Sequence, residues 1–360
     1  MKKKVYVFIS CILAMLIIVG TIVVVIDPFM HYHKPLEGWY YLVDNQRAQS
    51  DGIVRNFEYD CVVMGTSLTE GFSTNLVDEK LGTNSIKVPM SGATFYDTYN
   101  LMNAAFESDN DIRYIIRSLD INHLYDDKDA LRNDLGVYPT YLYDKNILND
   151  VNYLFNKDVI LNYCIPEIAH RLHGRYDGGI DFNSLYRVEH DQEITGLRWI
   201  MSKRGPYIAP EEAPQPLNED ELNTFIDNVN QNIFSVADAH PGTTFIYFIP
   251  PFSALSWAGF MEDGSILKNI ECEERFMKMS LEHPNVWVYC MANDYDIIEN
   301  YAYYKDYVHY TSLINDRIIE QISENQFRVT EDNIDKYISE QRSLFLNYDY
   351  EQFNNQDIWD

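Results

Sequence analysis

The pattern of hydrophobic and polar positions divides the chain into one long apolar run and an alternating region. Residues 5–26 read VYVFISCILAMLIIVGTIVVVI and carry no charge, and about 20 apolar residues are enough for a helix to cross a bilayer. Lys2, Lys3 and Lys4 precede the run. Because basic residues stay on the cytoplasmic side, the pattern predicts a cytoplasmic stub at 1–4 and a single-pass cell-membrane anchor at 5–26. The C-terminal domain is then expected to be extracytoplasmic.

A cleaved secretory signal peptide is the alternative reading of this run. Its apolar stretch is usually about 7–15 residues and ends at a small-x-small cleavage site. The run here is longer and ends in VVVIDPF, with no such site. A lipoprotein signal ending at Cys11 also fits poorly, because too few apolar residues precede that cysteine. An uncleaved anchor is therefore favoured.

From about residue 58, short apolar runs alternate with longer segments of helical character. The apolar runs predict strands at 60–64, 85–88, 112–119, 243–249 and 286–290. The segments between and after them predict helices at 70–81, 95–107, 218–239, 265–281 and 311–325. Strands separated by helices favour an α/β fold with a parallel sheet covered on both faces. Sites in such sheets form at the carboxyl ends of the strands.

The remaining segments complete the predicted domain organisation. Residues 27–57 are expected to form a juxtamembrane segment, and the main domain spans 58–325. Around 120–217 the pattern predicts an insertion packed over the sheet, with a surface loop at the proline-rich residues 206–216. Residues 326–360 are expected to form a C-terminal helix and tail.

Composition excludes some classes of function. Lys and Arg total 28 against 55 Asp and Glu, which gives a formal charge of −27. A surface this acidic repels phosphate backbones, so nucleic acid is not an expected partner. The five cysteines show no metal-binding spacing, and Cys61 and Cys290 lie in strand-like runs as small hydrophobes. We therefore expect neither a zinc site nor a disulfide framework.

Ser67 is the first candidate for chemistry, because it directly follows a predicted strand in Gly65-Thr66-Ser67-Leu68. A serine at a strand-to-helix turn can present its hydroxyl at the sheet edge, and its own backbone N–H can donate to an oxyanion. The alternative is structural. Ser67 and Glu70 also form an S-x-x-E capping box, in which the serine would only cap a helix.

Asp306 and His309 form the second candidate, in a short loop before the last helix of the main domain. A nucleophilic serine needs a base to accept its proton, and the base needs a carboxylate to fix its tautomer. An Asp three residues before a His can supply both. The alternative is an ordinary surface pair of polar residues.

Gly92 is the third candidate, in the Ser91-Gly92-Ala93 segment that follows the second predicted strand. A glycine there permits close backbone approach, and its N–H could serve as a second oxyanion donor. The alternative is an ordinary turn glycine.

Together these segments resemble the SGNH/GDSL hydrolase superfamily. GTSLTEGF at 65–72 resembles the family's first block, SGA at 91–93 its glycine block, and DYVHY at 306–310 its final D-x-x-H block. The resemblance covers roughly residues 59–325. FIPPFSALSW at 248–257 is similar to the divergent, membrane-anchored bacterial branch associated with modification of cell-surface polysaccharide or teichoic acid. The resemblance implies a three-layer flavodoxin-like fold, ester hydrolysis or acyl transfer through an acyl-serine, and no metal or other cofactor.

The third block departs from the family pattern. The family has G-x-N-D there, and the Asn side chain donates to the oxyanion. This chain has Ser118-Leu119-Asp120-Ile121-Asn122, with Asp120 in the Asn position. A carboxylate beside a developing oxyanion is repulsive unless it is protonated or turned away. Three outcomes remain open: Asn122 replaces the donor through a shifted turn, the site works with fewer donors, or the site is inactive.

The residues and the resemblance together predict an extracytoplasmic serine esterase or O-acyltransferase. Its expected substrate is an acylated cell-surface glycan, and a membrane-bound acyltransferase is a further candidate partner. The main alternative is a catalytically inactive accessory protein of the same fold, and a second is an envelope scaffold that binds glycans or cationic partners. Four tyrosines near the D-x-x-H block could stack on sugar, although packing is their ordinary role: Tyr303, Tyr304, Tyr307 and Tyr310.

Overall fold

The computed structural model describes residues 2–175, 179–187 and 194–359. The chain forms two compact units. The first comprises Met1–Glu58, Asn103–Asp109 and Asn133–Asp181, and the second comprises Tyr59–Met102, Asn110–Arg132 and Phe182–Asp360. Parts of the predicted insertion at 120–217, namely 176–178 and 188–193, lie outside the described residues, as do the two terminal residues.

The second unit is built on a parallel sheet of five strands within the described residues. The strands are β1 (Cys61–Gly65), β2 (Ser85–Pro89), β3 (Tyr114–Ser118), β4 (Thr244–Ile249) and β5 (Val286–Cys290). Their order is β2-β1-β3-β4-β5, which is the order of flavodoxin-like folds. Nearly every strand residue is buried, as expected where both faces of a parallel sheet are covered.

Helices connect the strands and extend both units. In chain order they are α1 (Lys2–Ile26), α2 (Gln46–Asn56), α3 (Thr74–Leu81), α4 (Phe95–Phe106), α5 (Val151–Leu154), α6 (Ile165–Leu172), α7 (Leu197–Arg204), α8 (Glu219–Val229), α9 (Ser235–Ala239), α10 (Ala254–Glu262), α11 (Ile266–Ser280), α12 (Tyr295–Ile298), α13 (Ser312–Ser323) and α14 (Ile334–Asn347). Two π-helical turns, Val159–Cys164 and Asn230–Phe234, lead into α6 and α9. The α/β pattern predicted for the second unit is confirmed.

Local differences from the sequence prediction have clear physical causes. The helix predicted from residue 70 begins only at Thr74, because Ser73 is the residue whose side chain caps α3 by accepting from the N–H of Leu76. Of the helices that were not predicted, α2 and α10 have identifiable reasons. The mixed pattern of 27–57 hid α2, which Asn45 caps, and α10 follows two prolines with a sequence too uniformly apolar to show helical periodicity.

Helix α1 belongs to the first unit. Among the described residues it is the helix that is long and apolar enough to cross a membrane. Most of its apolar side chains are exposed, but Val23 and Ile26 are buried in a cluster with Phe29, Tyr153 and neighbouring residues of the unit. A signal sequence near the N-terminus can pass the same test of length and hydropathy, so the helix alone does not define the topology.

Asp27 fixes the chain directly after α1. Its buried carboxylate accepts from the backbone N–H groups of His31, Tyr32 and His33 at 2.7–3.0 Å and from the hydroxyl of Tyr153 at 2.8 Å. Burial raises the pKa of Asp27, and these hydrogen bonds partly oppose that effect. The end of the apolar helix is therefore tied to the folded first unit by a dense polar network.

Candidate active site

Ser67 lies at the carboxyl end of β1, where a sharp turn directs its side chain away from the strand. Gly65, with φ of 141°, makes this turn possible. A Cβ on Gly65 would come within 2.6 Å of Ser118 Oγ, so a larger residue does not fit. Ser67 then begins a 3-10 turn, Ser67–Thr69, that the hydroxyl of Thr66 caps. The structural alternative for Ser67 does not apply, because Ser73 caps the following helix.

The Ser67 hydroxyl meets His309, a residue 242 positions later in the chain. Oγ of Ser67 lies 2.7 Å from Nε2 of His309, and Nδ1 of His309 lies 2.7 Å from Oδ2 of Asp306. With Nδ1–H donating to the carboxylate, Nε2 carries the lone pair that can accept the serine proton. The three residues predicted as a nucleophile, base and orienting acid are thus brought together in that order.

The loop that carries Asp306 and His309 is fixed by its own backbone. Oδ1 of Asp306 accepts from the N–H groups of Val308 and His309, each at 2.7 Å. The N–H of Lys305 donates to the carbonyl of His309 at 2.9 Å and closes the loop. The carboxylate therefore stays aimed at the imidazole without help from solvent.

Neighbouring helices hold this loop and the Ser67 turn. The hydroxyls of Ser253 and Ser256, at the start of α10, both donate to the carbonyl of Tyr307. On the other side, the amide of Asn315 on α13 donates to the carbonyl of Leu68 at 2.8 Å. The distance between the serine and the histidine is thus set by regular elements of the second unit.

The electrostatics of the pair suit a general base. Burial lowers the pKa of His309, but the hydrogen bond and negative charge of Asp306 outweigh it, and the net pKa lies above the ordinary value of 6.5. For Asp306 the effects are reversed. Burial raises the pKa of this carboxyl, but the hydrogen bonds from His309 and Val308 bring it below its ordinary range. Asp306 therefore remains ionised while His309 gains and loses the proton.

The predicted oxyanion donors line the same cavity as the serine. Ser67, Gly92 and Asn122 all face it. Gly92 has φ of 61°, a left-handed conformation that favours glycine. Within the described part of the chain, the backbone N–H groups of Ser67 and Gly92 and the side-chain amide of Asn122 donate to no protein acceptor. These donors are available to a ligand.

Asp120, the departure from the family pattern, is turned toward two hydroxyl groups. Its Oδ1 accepts from Thr66 and its Oδ2 from Ser118, each at 3.0 Å. The carboxylate thus connects the end of β3 to the residue before Ser67. Asn122 lies two residues after Asp120, in the 3-10 turn Ile121–His123. The amide is therefore shifted by two residues relative to the family block.

The cavity over these residues has a volume of about 1000 Å³. One wall comes from α7 and the loop after it, where the surface loop predicted at 206–216 contributes Pro206, Ile208 and Glu211. A second wall comes from α10, through Phe252 just before it and Gly259 and Phe260 within it. The sequence did not indicate this second wall, because α10 itself was not predicted.

Among the described residues, no group of three potential metal ligands occurs. Of the four tyrosines, Tyr304 and Tyr310 are buried by packing. Tyr307 is 43% exposed and lines the cavity. Among the described residues, Tyr307 is therefore the tyrosine placed to stack on a ligand in this cavity.

Comparison with known proteins adds little to this geometry. No protein-family model and no curated protein matches the sequence. Among solved structures, the chain is similar to a Streptococcus pneumonia protein provisionally described as a platelet activating factor. The two are 11% identical, with 78% of this chain and 89% of the other covered, at a TM-score of 0.39. A likeness of this size assigns neither family nor function.

Proposed function

We propose that this protein is an extracytoplasmic, membrane-anchored serine esterase or O-acyltransferase that acts on acyl esters of a cell-envelope glycan. The observation that carries the proposal is the 2.7 Å separation between Ser67 Oγ and His309 Nε2, continued at 2.7 Å to Asp306. Such a chain of contacts from nucleophile to base to carboxylate is the geometry that activates a serine.

The first half of the reaction forms an acyl-serine. His309 Nε2 takes the proton from Ser67 as Oγ attacks the ester carbonyl carbon, and the carbonyl oxygen becomes an oxyanion. The N–H groups of Ser67 and Gly92 and the amide of Asn122 are the donors available to it. When the tetrahedral intermediate collapses, the bond to the sugar oxygen breaks, and His309 returns the proton to that oxygen.

The second half regenerates the serine. A water molecule or a sugar hydroxyl loses its proton to His309 and attacks the acyl carbon. The bond to Ser67 Oγ then breaks, and Oγ regains a proton from His309. Water yields a free carboxylic acid, whereas a sugar hydroxyl yields a new ester. The two reactions use the same residues and differ only in the acceptor.

Cavity size and surroundings support a glycan rather than a small free ester. At about 1000 Å³ the cavity is at the upper end of the range for ligand sites. It combines apolar surface from Phe252 and Phe260 with the polar groups around His309. The resemblance of the motifs to enzymes of envelope polysaccharide modification agrees with such a substrate. Basic residues at 2–4, in the first turn of α1, support an extracytoplasmic domain.

A fluorophosphonate probe tests the proposal, because it reacts covalently only with activated serines. The full-length protein in detergent should be labelled, and Ser67→Ala should abolish the labelling. Ser323→Ala is the matched control, since its hydroxyl bonds only the carbonyl of Glu320 on the same helix. A folded wild-type protein that resists the probe would sink the proposal.

Asp120 favours a second candidate function, a catalytically inactive accessory protein that supports a membrane-bound acyltransferase. In the family pattern an amide donor stands where this chain has a carboxylate, and losing one oxyanion donor costs about 10²–10³ in rate. An accessory role predicts no probe labelling. It also predicts that Ser67→Ala supports envelope acylation as well as the wild-type protein does.

A further inference from the structure

A second cavity of about 720 Å³ lies in the same unit as the active site. It is formed by the start of α7, the segment 299–302 and the C-terminal segment after α14. None of the residues proposed for catalysis lines it. Its lining is unusually aromatic and includes Trp199, Tyr301, Tyr348, Phe353 and Trp359.

The aromatic rings that line this cavity differ in how deeply they are buried. Phe353 is fully buried at the base, where Tyr348 stacks on it at 6.1 Å and Tyr301 meets it edge-on at 6.0 Å. Trp199 and Trp359 are half-buried toward the opening. Flat rings with polar tips suit a ligand that has both apolar faces and hydroxyl edges. Sugar rings have this combination, with C–H groups on their faces and hydroxyls around their rims.

Two segments of chain connect this cavity to the catalytic one. On α7, Trp199 lines the aromatic cavity and Lys203 lines the catalytic cavity. One helical turn, about 5.4 Å, separates them along the helix, and the Lys203 ammonium lies 4.6 Å from the centre of the Trp199 ring. The segment 299–309 also reaches both cavities: Tyr301 lines the aromatic cavity and His309 lines the catalytic cavity. One extended ligand could therefore occupy both cavities.

The charges of the cavity lining and of the whole chain narrow the class of ligand that the aromatic cavity can bind. The aromatic cavity has Arg198 and Glu299 as its charged lining residues, one of each sign. The whole chain carries a formal charge of −27, which disfavours the approach of a polyanion. The surroundings thus fit an uncharged sugar chain better than a polymer of phosphates or carboxylates.

We propose that the aromatic cavity is a distal subsite that binds uncharged sugar units of the same O-acylated glycan whose ester enters the catalytic cavity. This inference rests on the proposed function and specifies its substrate as an uncharged polymer several sugars long. The distal subsite supplies binding energy for polymeric substrates and leaves small esters unaffected.

Kinetics on substrates of increasing length test the distal subsite. The probes are partially O-acetylated xylan fragments of two to six sugar units, with p-nitrophenyl acetate as the small ester. Wild-type kcat/KM should rise at least tenfold with fragment length. Tyr348→Ala and Trp359→Ala should remove that rise and leave p-nitrophenyl acetate hydrolysis unchanged. Tyr99→Ala, a half-buried tyrosine that lines neither cavity, is the matched control.

Direct binding separates this inference from the proposed function. In a Ser67→Ala background, calorimetry with the six-unit fragment should show binding that weakens about tenfold in Trp359→Ala. Loss of that binding supports the subsite even if the wild-type protein has no esterase activity. Equal binding by Tyr348→Ala, Trp359→Ala and Tyr99→Ala would overturn the subsite, whatever the esterase result. Tighter binding of O-acetylated polygalacturonate fragments of the same length would overturn the preference for uncharged sugars.

Discussion

The hydroxyl of Thr66 donates to Oδ1 of Asp120 across 3.0 Å, and Ser118 donates to the other oxygen of the same carboxylate. The carboxylate thus anchors the residue that precedes Ser67. The motif that this segment resembles has an amide at this position, but here both oxygens of the carboxylate are engaged by hydroxyls. Asp120 is therefore a positioning residue for the Ser67 turn.

Substitutions at Asp120 should separate its role in positioning the Ser67 turn from the effect of its negative charge. Asp120→Ala leaves the hydroxyls of Thr66 and Ser118 without their acceptor, so we expect kcat on p-nitrophenyl acetate to fall about tenfold. Asp120→Asn keeps hydrogen-bonding capacity, because a hydroxyl can accept as well as donate, and it removes a negative charge near the oxyanion. Its kcat should equal or exceed that of the wild-type protein. An unchanged rate in Asp120→Ala would contradict the positioning role.

Asn122→Ala should identify the displaced oxyanion donor. The side-chain amide lines the catalytic cavity and donates to no protein acceptor in the described part of the chain. Removal of one such donor lowers kcat by about 10²–10³ with little change in KM. Steady-state kinetics on p-nitrophenyl acetate would measure both constants. A rise in KM alone, with kcat intact, would show that Asn122 only contacts the bound substrate.

The sequence allowed much of this site to be predicted, for reasons that depend on short segments of chain. Asp306 and His309 lie three residues apart, so their pairing is almost a local property. Ser67 was predicted because it follows a buried strand and Gly65, two residues before it. The meeting of Ser67 with His309 follows only from the parallel sheet, and the motif resemblance supplied that step.

Other features could not be read from the sequence because they depend on tertiary contacts. The Asp120 carboxylate could have faced the oxyanion or turned away, and only the positions of Thr66 and Ser118 decide between these arrangements. The wall formed by α10 was missed because a helix buried on most sides has no polar stripe. The aromatic cavity joins Trp199 and Trp359, which are far apart in the chain and carry no shared motif.

The pH dependence of kcat/KM should follow the protonation of His309. Only the neutral imidazole accepts the serine proton, so activity rises with pH as His309 loses its proton. Because Asp306 raises the pKa of His309 above its ordinary value of 6.5, the midpoint should lie above 6.5. In Asp306→Asn the midpoint should move to lower pH, and the plateau should drop on the order of 10⁴-fold. A midpoint that stays in place would contradict the electrostatic role of Asp306.

Substitutions of increasing size at Gly259 on α10 should reduce the catalytic cavity stepwise. Gly259 lines the cavity, and a Cβ at this position would meet no atom within 4 Å. Gly259→Ala should stabilise the helix by up to about 1 kcal/mol and leave small-ester hydrolysis unchanged. Gly259→Phe should reduce kcat/KM on O-acetylated xylan fragments at least tenfold, since the ring occupies the cavity. Denaturant unfolding and steady-state kinetics measure the two effects, and equal kinetics for both variants would refute a substrate role for this wall.

Glu273 on α11 should make the stability of the second unit fall as pH rises. Its side chain is completely buried, and its interaction with the side chain of Gln341 only partly opposes the effect of that burial. Burial raises the pKa of Glu273 from 4.5 to about 8. The unfolded chain releases this proton near pH 4.5 and the folded chain holds it to about pH 8. The free energy of unfolding therefore declines across that interval.

Glu273→Gln should remove this decline, because an amide stays neutral at every pH. At 1.36 kcal/mol per pKa unit, the variant should gain up to about 4 kcal/mol over the wild-type protein at pH 8 and less than about 1 kcal/mol at pH 5. Glu282→Gln makes the same chemical change at an exposed position and should alter stability little at either pH. Denaturant midpoints of the three proteins at pH 5 and pH 8 measure the effect. If the stabilities of wild type and Glu273→Gln changed with pH in parallel, the folded protein would hold Glu273 ionised. A partner for the charge of Glu273 would then have to exist.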